Sequence, residues 1–180
     1  MRKILIATLT IGTMFGTSAY AAEMPTTMSN FNYDYFDTRI GMAPLTFGAG
    51  ISKSIHPNAH FLASIDSKLD DDFNSKVGLG FHAPINNWAD LTGLMALRVA
   101  ATETHTTDTG MEINLGVRQW LGPQFEVGGY VGYLSIFEKE DVIGSVYGRF
   151  HATELFSIGF QGMINDIYDN QFMLTTRFNF

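Results

Sequence analysis

The sequence predicts an all-β fold: a closed antiparallel transmembrane β-barrel of ten strands, with eight as the alternative count. Three observations predict it. Beyond a short leader, the 180-residue chain is a series of runs in which apolar and polar residues alternate, the period of a strand with one apolar face. Polar, turn-forming residues separate these runs. The last run, 171–180, places Phe172, Leu174, Thr176, Phe178 and Phe180 on one face and then stops. An apolar final strand with nothing to cover its edge is a liability in water, but it closes a membrane barrel by pairing with the first strand.

The leader is read apart from the fold. Arg2 and Lys3 precede an apolar run at 4–16, and Ala19-Tyr20-Ala21 is a small-x-small cleavage site, the pattern of a secretory signal. Residues 1–21 are therefore expected to be a cleaved signal peptide and 22–180 the barrel domain. The chain has 11 Lys+Arg and 18 Asp+Glu, and losing Arg2 and Lys3 leaves 9 against 18, about −9. An acidic balance of this kind argues against a nucleic-acid partner. There is no cysteine, so neither a disulfide nor a lipid-anchoring thiol is available. No later apolar run approaches the ~20 residues of a transmembrane helix, yet Gly (18), Phe (15) and Tyr (7) are abundant.

After a polar lead at 23–30, the first strand is expected over 33–42. Phe36, Thr38, Ile40 and Met42 turn to lipid; Tyr35, Asp37 and Arg39 turn inward. The second, 46–55, sends Phe47, Ala49, Ile51 and Ile55 outward, while Lys53 near its end can carry its ammonium to the interface. His56-Pro57-Asn58 turns the chain into the third, 60–68, with Ser64, Asp66 and Lys68 inward. Asp70-Asp71-Asp72 forms a loop. The fourth, 75–83, turns Lys76 and His82 inward, and 84–88 is a turn whose Trp88 suits an interfacial aromatic girdle. The fifth, 89–101, has Asp90, Thr92 and Arg98 inward.

Residues 102–110, rich in Thr, read as the longest loop. The sixth strand, 111–119, alternates Met111, Ile113, Leu115 and Val117 with Glu112, Asn114, Gly116 and Arg118. The seventh, 125–137, follows a turn at 121–124 and carries Glu126 inward. A charged loop at 138–141 leads to the eighth, 142–151, with Ser145, Tyr147, Arg149 and His151 inward. A turn at 152–154, the ninth strand at 155–165 and a loop at 166–170 precede the closing strand, where Arg177 faces inward. Runs of about ten residues match the ~9–11 needed to cross a bilayer at a tilt. An even strand count puts both termini on the periplasmic side.

The hairpin Val77 to His82, turn, Asp90 to Leu94, its counterpart Ile113 to Arg118, turn, Glu126 to Val131, the leader and the aromatic carboxy-terminus together resemble the small outer-membrane β-barrel proteins of Gram-negative bacteria, the OmpA/OmpX-like superfamily. The resemblance covers the mature chain and implies a place in the Gram-negative outer membrane, among its lipid and lipopolysaccharide. It also implies that the barrel-assembly machinery reads Phe178 and Phe180 as the terminal aromatic-x-aromatic signal. That match is partial, since Met173 and Thr175 stand where the family has a polar residue and a Gly.

The polar residues bear on four chemistries. His82, His105 and His151 make no hydrolytic constellation: Ser145 and His151 share a face but stand six residues apart, too far to touch, so no enzyme is expected. Asp70 to Asp72, and Glu138, Glu140 and Asp141, lack the spacing and central Gly of a calcium loop, so no metal or other cofactor is expected. The acidic loops could meet an external partner, an adhesin reading. The inward charges carry most information: Asp66, Lys68, Lys76, Asp90, Arg98, Glu112, Arg118, Glu126, Arg149 and Arg177, together with Asp37 and Arg39. They would be costly facing lipid, and in a narrow lumen they pair, with Glu112–Arg118 and Asp66–Lys76 as plausible partners. Inward glycines such as Gly48, Gly80, Gly128 and Gly159 either make room for these groups or leave a thin water path. The expected role is a structural, envelope-integrity barrel whose lumen is largely filled by charged side chains. A narrow small-solute or ion channel is the alternative.

Overall fold

The computed structural model describes residues 29–69, 72–102 and 105–180. The leader and its cleavage site, the lead at 23–28, and Asp70, Asp71, Glu103 and Thr104 fall outside them. The described residues form ten strands: β1 (Tyr35–Met42), β2 (Thr46–His56), β3 (Ala59–Ser67), β4 (Phe73–Asn86), β5 (Ala89–Thr102), β6 (His105–Gly122), β7 (Phe125–Ile136), β8 (Lys139–His151), β9 (Phe156–Asp166) and β10 (Asp169–Asn179). Each pairs antiparallel with its sequence neighbours, and β1 with β10, so the sheet closes. The closing seam runs from Tyr35 opposite Asn179 to Met42 opposite Phe172, with Phe36 opposite Phe178. Phe180 extends it by donating its N–H to the Asp34 carbonyl.

The two faces are inverted relative to a protein folded in water. Leu79, Leu115, Val131 and Phe160 stand 45%, 63%, 60% and 55% exposed, within an apolar band carried by all ten strands. Inside, Asp90, Glu112 and Glu126 are fully buried. An encircling apolar exterior with charges within belongs in lipid. Toward the end away from the termini the interior holds an apolar cluster. There Ala100, Leu134, Ile136 and Ile143 pack together with Tyr130, Phe137 and Ile167.

Strand boundaries depart from the expectation where local chemistry misleads. The loop expected at 102–110 is mostly ladder: β6 begins at His105 and Ala100 pairs with Asp108, because Thr106, Thr107 and Thr109 are β-branched and favour strand. At 14 and 18 residues, β5 and β6 are longer than the ~9–11 that a bilayer crossing needs. The charged loop expected at 138–141 shrinks to two residues, Phe137 and Glu138, at φ 56° and 58°, the geometry of a tight hairpin turn. Pro84 lies within β4 beside a register shift, a position that tolerates a missing N–H. Tyr33, expected in the first strand, instead leaves the wall and enters the barrel.

Candidate functional site

The interior charges form three groups along the axis. Toward the end away from the termini, Arg98 donates from Nε to Glu112 Oε2 at 2.7 Å and from Nη1 to Asn74 Oδ1 at 2.8 Å, and its Nη2 pairs with Asp166 at 3.1 Å. Lys76 lies 3.5 Å from the same Glu112, and Asn114 donates to the other Glu112 oxygen. Register explains the grouping. Lys76 sits directly opposite Arg98 on adjacent strands, so two cations share one carboxylate rather than repelling unscreened.

In the middle, Arg39 bridges Asp66, at 2.9 Å from Nε, and Asp37. A Cβ at Gly48 would overlap the Asp66 carboxylate, so the missing side chain there makes room for this ion pair. Toward the termini, Arg118 makes a two-pronged bond to Glu126, at 3.0 and 3.1 Å. Tyr147 and His151 donate to the same carboxylate at 2.7 and 3.0 Å, and Arg149 stands 3.5 Å away.

These contacts correct the expected pairs. Glu112 meets Arg98 and Lys76, not Arg118; Asp66 meets Arg39, not Lys76. Some partners lie diagonally on neighbouring strands, as Arg98 and Glu112 do, and others on strands two or more apart, as Arg39 and Asp66 do; that stagger is set by register, which composition does not reveal. Lys68 stands at the outer end of the lumen, beyond its strand, where it lines a cavity. It lies in the β3–β4 loop, 3.6 Å from Asp72 and over the Tyr168 ring. Asp166, expected in an outer loop, is a lumen partner. By parity it should face lipid, but Asn165 adopts φ 55°, a conformation Asn tolerates, and the alternation breaks there.

One wall is less fully paired. Among the described residues, no group accepts from Nε and Nη1 of either Arg149 or Arg177, and the Ser157 and Thr175 hydroxyls also lack partners. These four lie together. Arg177 is opposite Ser157, Thr175 is opposite Gly159, and Gly159 is opposite Arg149. Arg177 spreads over the Tyr35 ring at 3.6 Å and Arg149 over Tyr147 at 5.1 Å, contacts that satisfy a guanidinium face but not its edge donors.

The mouth at the termini is crossed by residues 29–34. Phe31 stacks on Trp120 at 5.4 Å, and the Arg118 guanidinium lies between the Phe31 and Tyr33 rings at 4.6 and 4.7 Å. Tyr33 stacks on His82 at 3.8 Å and His60 at 4.8 Å, and donates its hydroxyl to Asp90 at 2.8 Å. Ser29 donates to the same Asp90 oxygen. Next along, Asp34 is held by Lys53 and the Ser54 N–H. Burial pushes the Asp34 carboxyl up, and those hydrogen bonds outweigh it to leave it below its usual value. The polar lead expected at 23–30 covers only Ser29 and Asn30 of this segment, and the first strand expected from 33 covers Tyr33 and Asp34; neither expectation places the segment across the mouth.

Three cavities follow one another along the axis. The outer one, about 410 Å³, is lined by Lys68, Ile136, Tyr168 and Asp166 among others. The central one, about 210 Å³, touches Arg39, Arg98, Arg149 and Arg177. The third, about 480 Å³, lies beside Asn32, Trp120 and His151 near the terminal mouth. Asp166 lines both of the first two, and Arg118 and Arg177 line both of the last two.

No family model matches the chain, and no curated protein matches it. Solved structures do. The NanC porin is 9% identical, with 82% of this chain and all of that one covered at a TM-score of 0.54. The KdgM porin is 7% identical, covering 82% and 98% at 0.50. The chain therefore has the closed ten-strand antiparallel fold of outer-membrane porins. The expected resemblance to outer-membrane barrels holds at that level, and its narrower placement in the OmpA/OmpX-like superfamily gains no support from these similarities.

Proposed function

We propose that the chain is a narrow outer-membrane channel for small hydrophilic solutes, with its termini toward the periplasm. The observation that carries this reading is the series of three cavities sharing Asp166 at one junction and Arg118 and Arg177 at the other. A barrel of about eight strands is just filled by its side chains, and ~16–18 leave an open aqueous pore; ten strands sit near the filled limit, and here space persists between the charge groups. The likeness in fold to two porins supports the channel over the purely structural barrel. The Arg149 and Arg177 side chains, which line the central cavity, favour small anions there. The apolar band contacts lipid, the far rim meets lipopolysaccharide, and the assembly machinery reads Phe178 and Phe180. An adhesin is less favoured, because the described turns away from the termini are short.

The test is efflux from proteoliposomes. Vesicles holding the refolded protein should release a small organic anion faster than a disaccharide, and faster than protein-free vesicles. Release no faster than from protein-free vesicles for every small solute, in wild type and in Phe31→Ser with Tyr33→Ser alike, would return the chain to the structural reading.

A further inference from the structure

We propose that residues 29–34 are a built-in plug that closes the terminal mouth of the lumen, and that solute passes only when this segment swings out. The inference rests on the channel reading. Its basis is topological as well as chemical. In a closed ring of ten strands, β6 lies five places from β1 in either direction and so stands diametrically opposite. The segment that runs into β1 nevertheless stacks Phe31 on Trp120 of β6 and flanks Arg118 of β6 with two rings. It therefore spans the full width of the mouth.

The attachments are of a kind that release. Phe31 and Tyr33 are buried, at 7% and 6% exposed, yet they add no strand to the wall. The segment is held by ring stacking, by the Asp90 carboxylate and by three further polar contacts to the barrel: Ser52 donates to the Tyr33 carbonyl at 2.6 Å, Asn30 donates to the Asn87 carbonyl at 2.8 Å, and Arg118 donates to the Asn32 carbonyl at 3.4 Å. The barrel ladder is complete without them, because β1 begins at Tyr35. Withdrawal would leave every strand pair in place and uncover Arg118, Asp90, His60 and His82. Arg118 keeps its two-pronged bond to Glu126 when the rings leave, so no buried charge is orphaned on that side. Asp34, bonded to Lys53 and Ser54 of β2, is the natural hinge.

The experiment is single-channel recording of the full mature chain in planar bilayers. One variant releases the plug, Phe31→Ser with Tyr33→Ser. A second, Asn30→Cys with Asn87→Cys, places the two thiols of an otherwise cysteine-free chain where a short bifunctional methanethiosulfonate can bridge them. Release should raise the frequency and size of conducting steps severalfold over wild type. Bridging should abolish steps, and a reductant should restore them. Equal conductance in wild-type, released and bridged protein would overturn the plug while leaving the channel standing. Folded, released protein that never conducts would overturn both. If the released variant does not fold, the bridged pair decides alone: steps that persist through bridging overturn the proposal.

Discussion

Arg98 and Glu112 meet at 2.7 Å with side chains 2% and 0% exposed, making them one of the most deeply buried ion pairs in the barrel. Glu112 also holds Lys76, and Arg98 also holds Asp166, so four charges on β4, β5, β6 and β9 depend on one another. Removing one member of a buried pair leaves the other uncompensated, a loss of ~3–5 kcal/mol. Arg98→Ala should therefore be strongly destabilising in urea unfolding from lipid vesicles. Glu112→Gln should cost less, because Arg98 retains Asp166. Wild-type stability of Arg98→Ala would show that water, not pairing, carries these charges.

The lipid face makes a second prediction. Leu79, Leu115 and Ile158 lie on outward positions of β4, β6 and β9, and an Arg near the bilayer midplane costs ~2–4 kcal/mol. Arg at Ser64, which faces the central cavity, should cost much less. Equal losses at the two sets would mean that the faces are misassigned.

Glycine placement gives a third. A Cβ at inward Gly159 would come 2.5 Å from the Gly148 carbonyl, which is backbone and cannot give, whereas at outward Gly144 the nearest atom is 3.6 Å away. Gly159→Ala should destabilise by ~1–3 kcal/mol, as overpacking does, and Gly144→Ala should be near neutral. The same unfolding measurement checks both, and a tolerated Gly159→Ala would contradict the close approach of β8 and β9.

Closure gives a fourth. Phe178 faces Phe36 across the seam, and Phe180 adds a bond beyond it. Deleting Phe180 should sharply reduce folded barrel in the membrane fraction and leave misfolded chain. Normal assembly of that truncation would show that the terminal aromatic is not read.

Much of the architecture was legible because a strand's period of two is written directly in residues such as Ile113, Leu115 and Val117 against Glu112, Asn114 and Arg118. Strand ends were less legible. Thr-rich and charged stretches look like loops by composition, and only pairing across the ladder shows that 105–110 and 139–141 are strand. Within the lumen, the inward residues could be named but not matched. Which carboxylate an arginine reaches depends on stagger, and at Asp166 on a single left-handed Asn165. The mouth-spanning segment was hidden for a different reason: Phe31 and Tyr33 alternate like a strand, and nothing local says that they leave the wall.

The central claim is that a charged, narrow path runs through the barrel, and current through one molecule tests it most directly. Wild-type protein in a planar bilayer under a salt gradient should give small, infrequent steps whose reversal potential marks anion preference, and Arg149→Ser with Arg177→Ser should shift that potential toward zero. Folded protein that passes no current in either form, with the plug released as well as in place, would contradict the account.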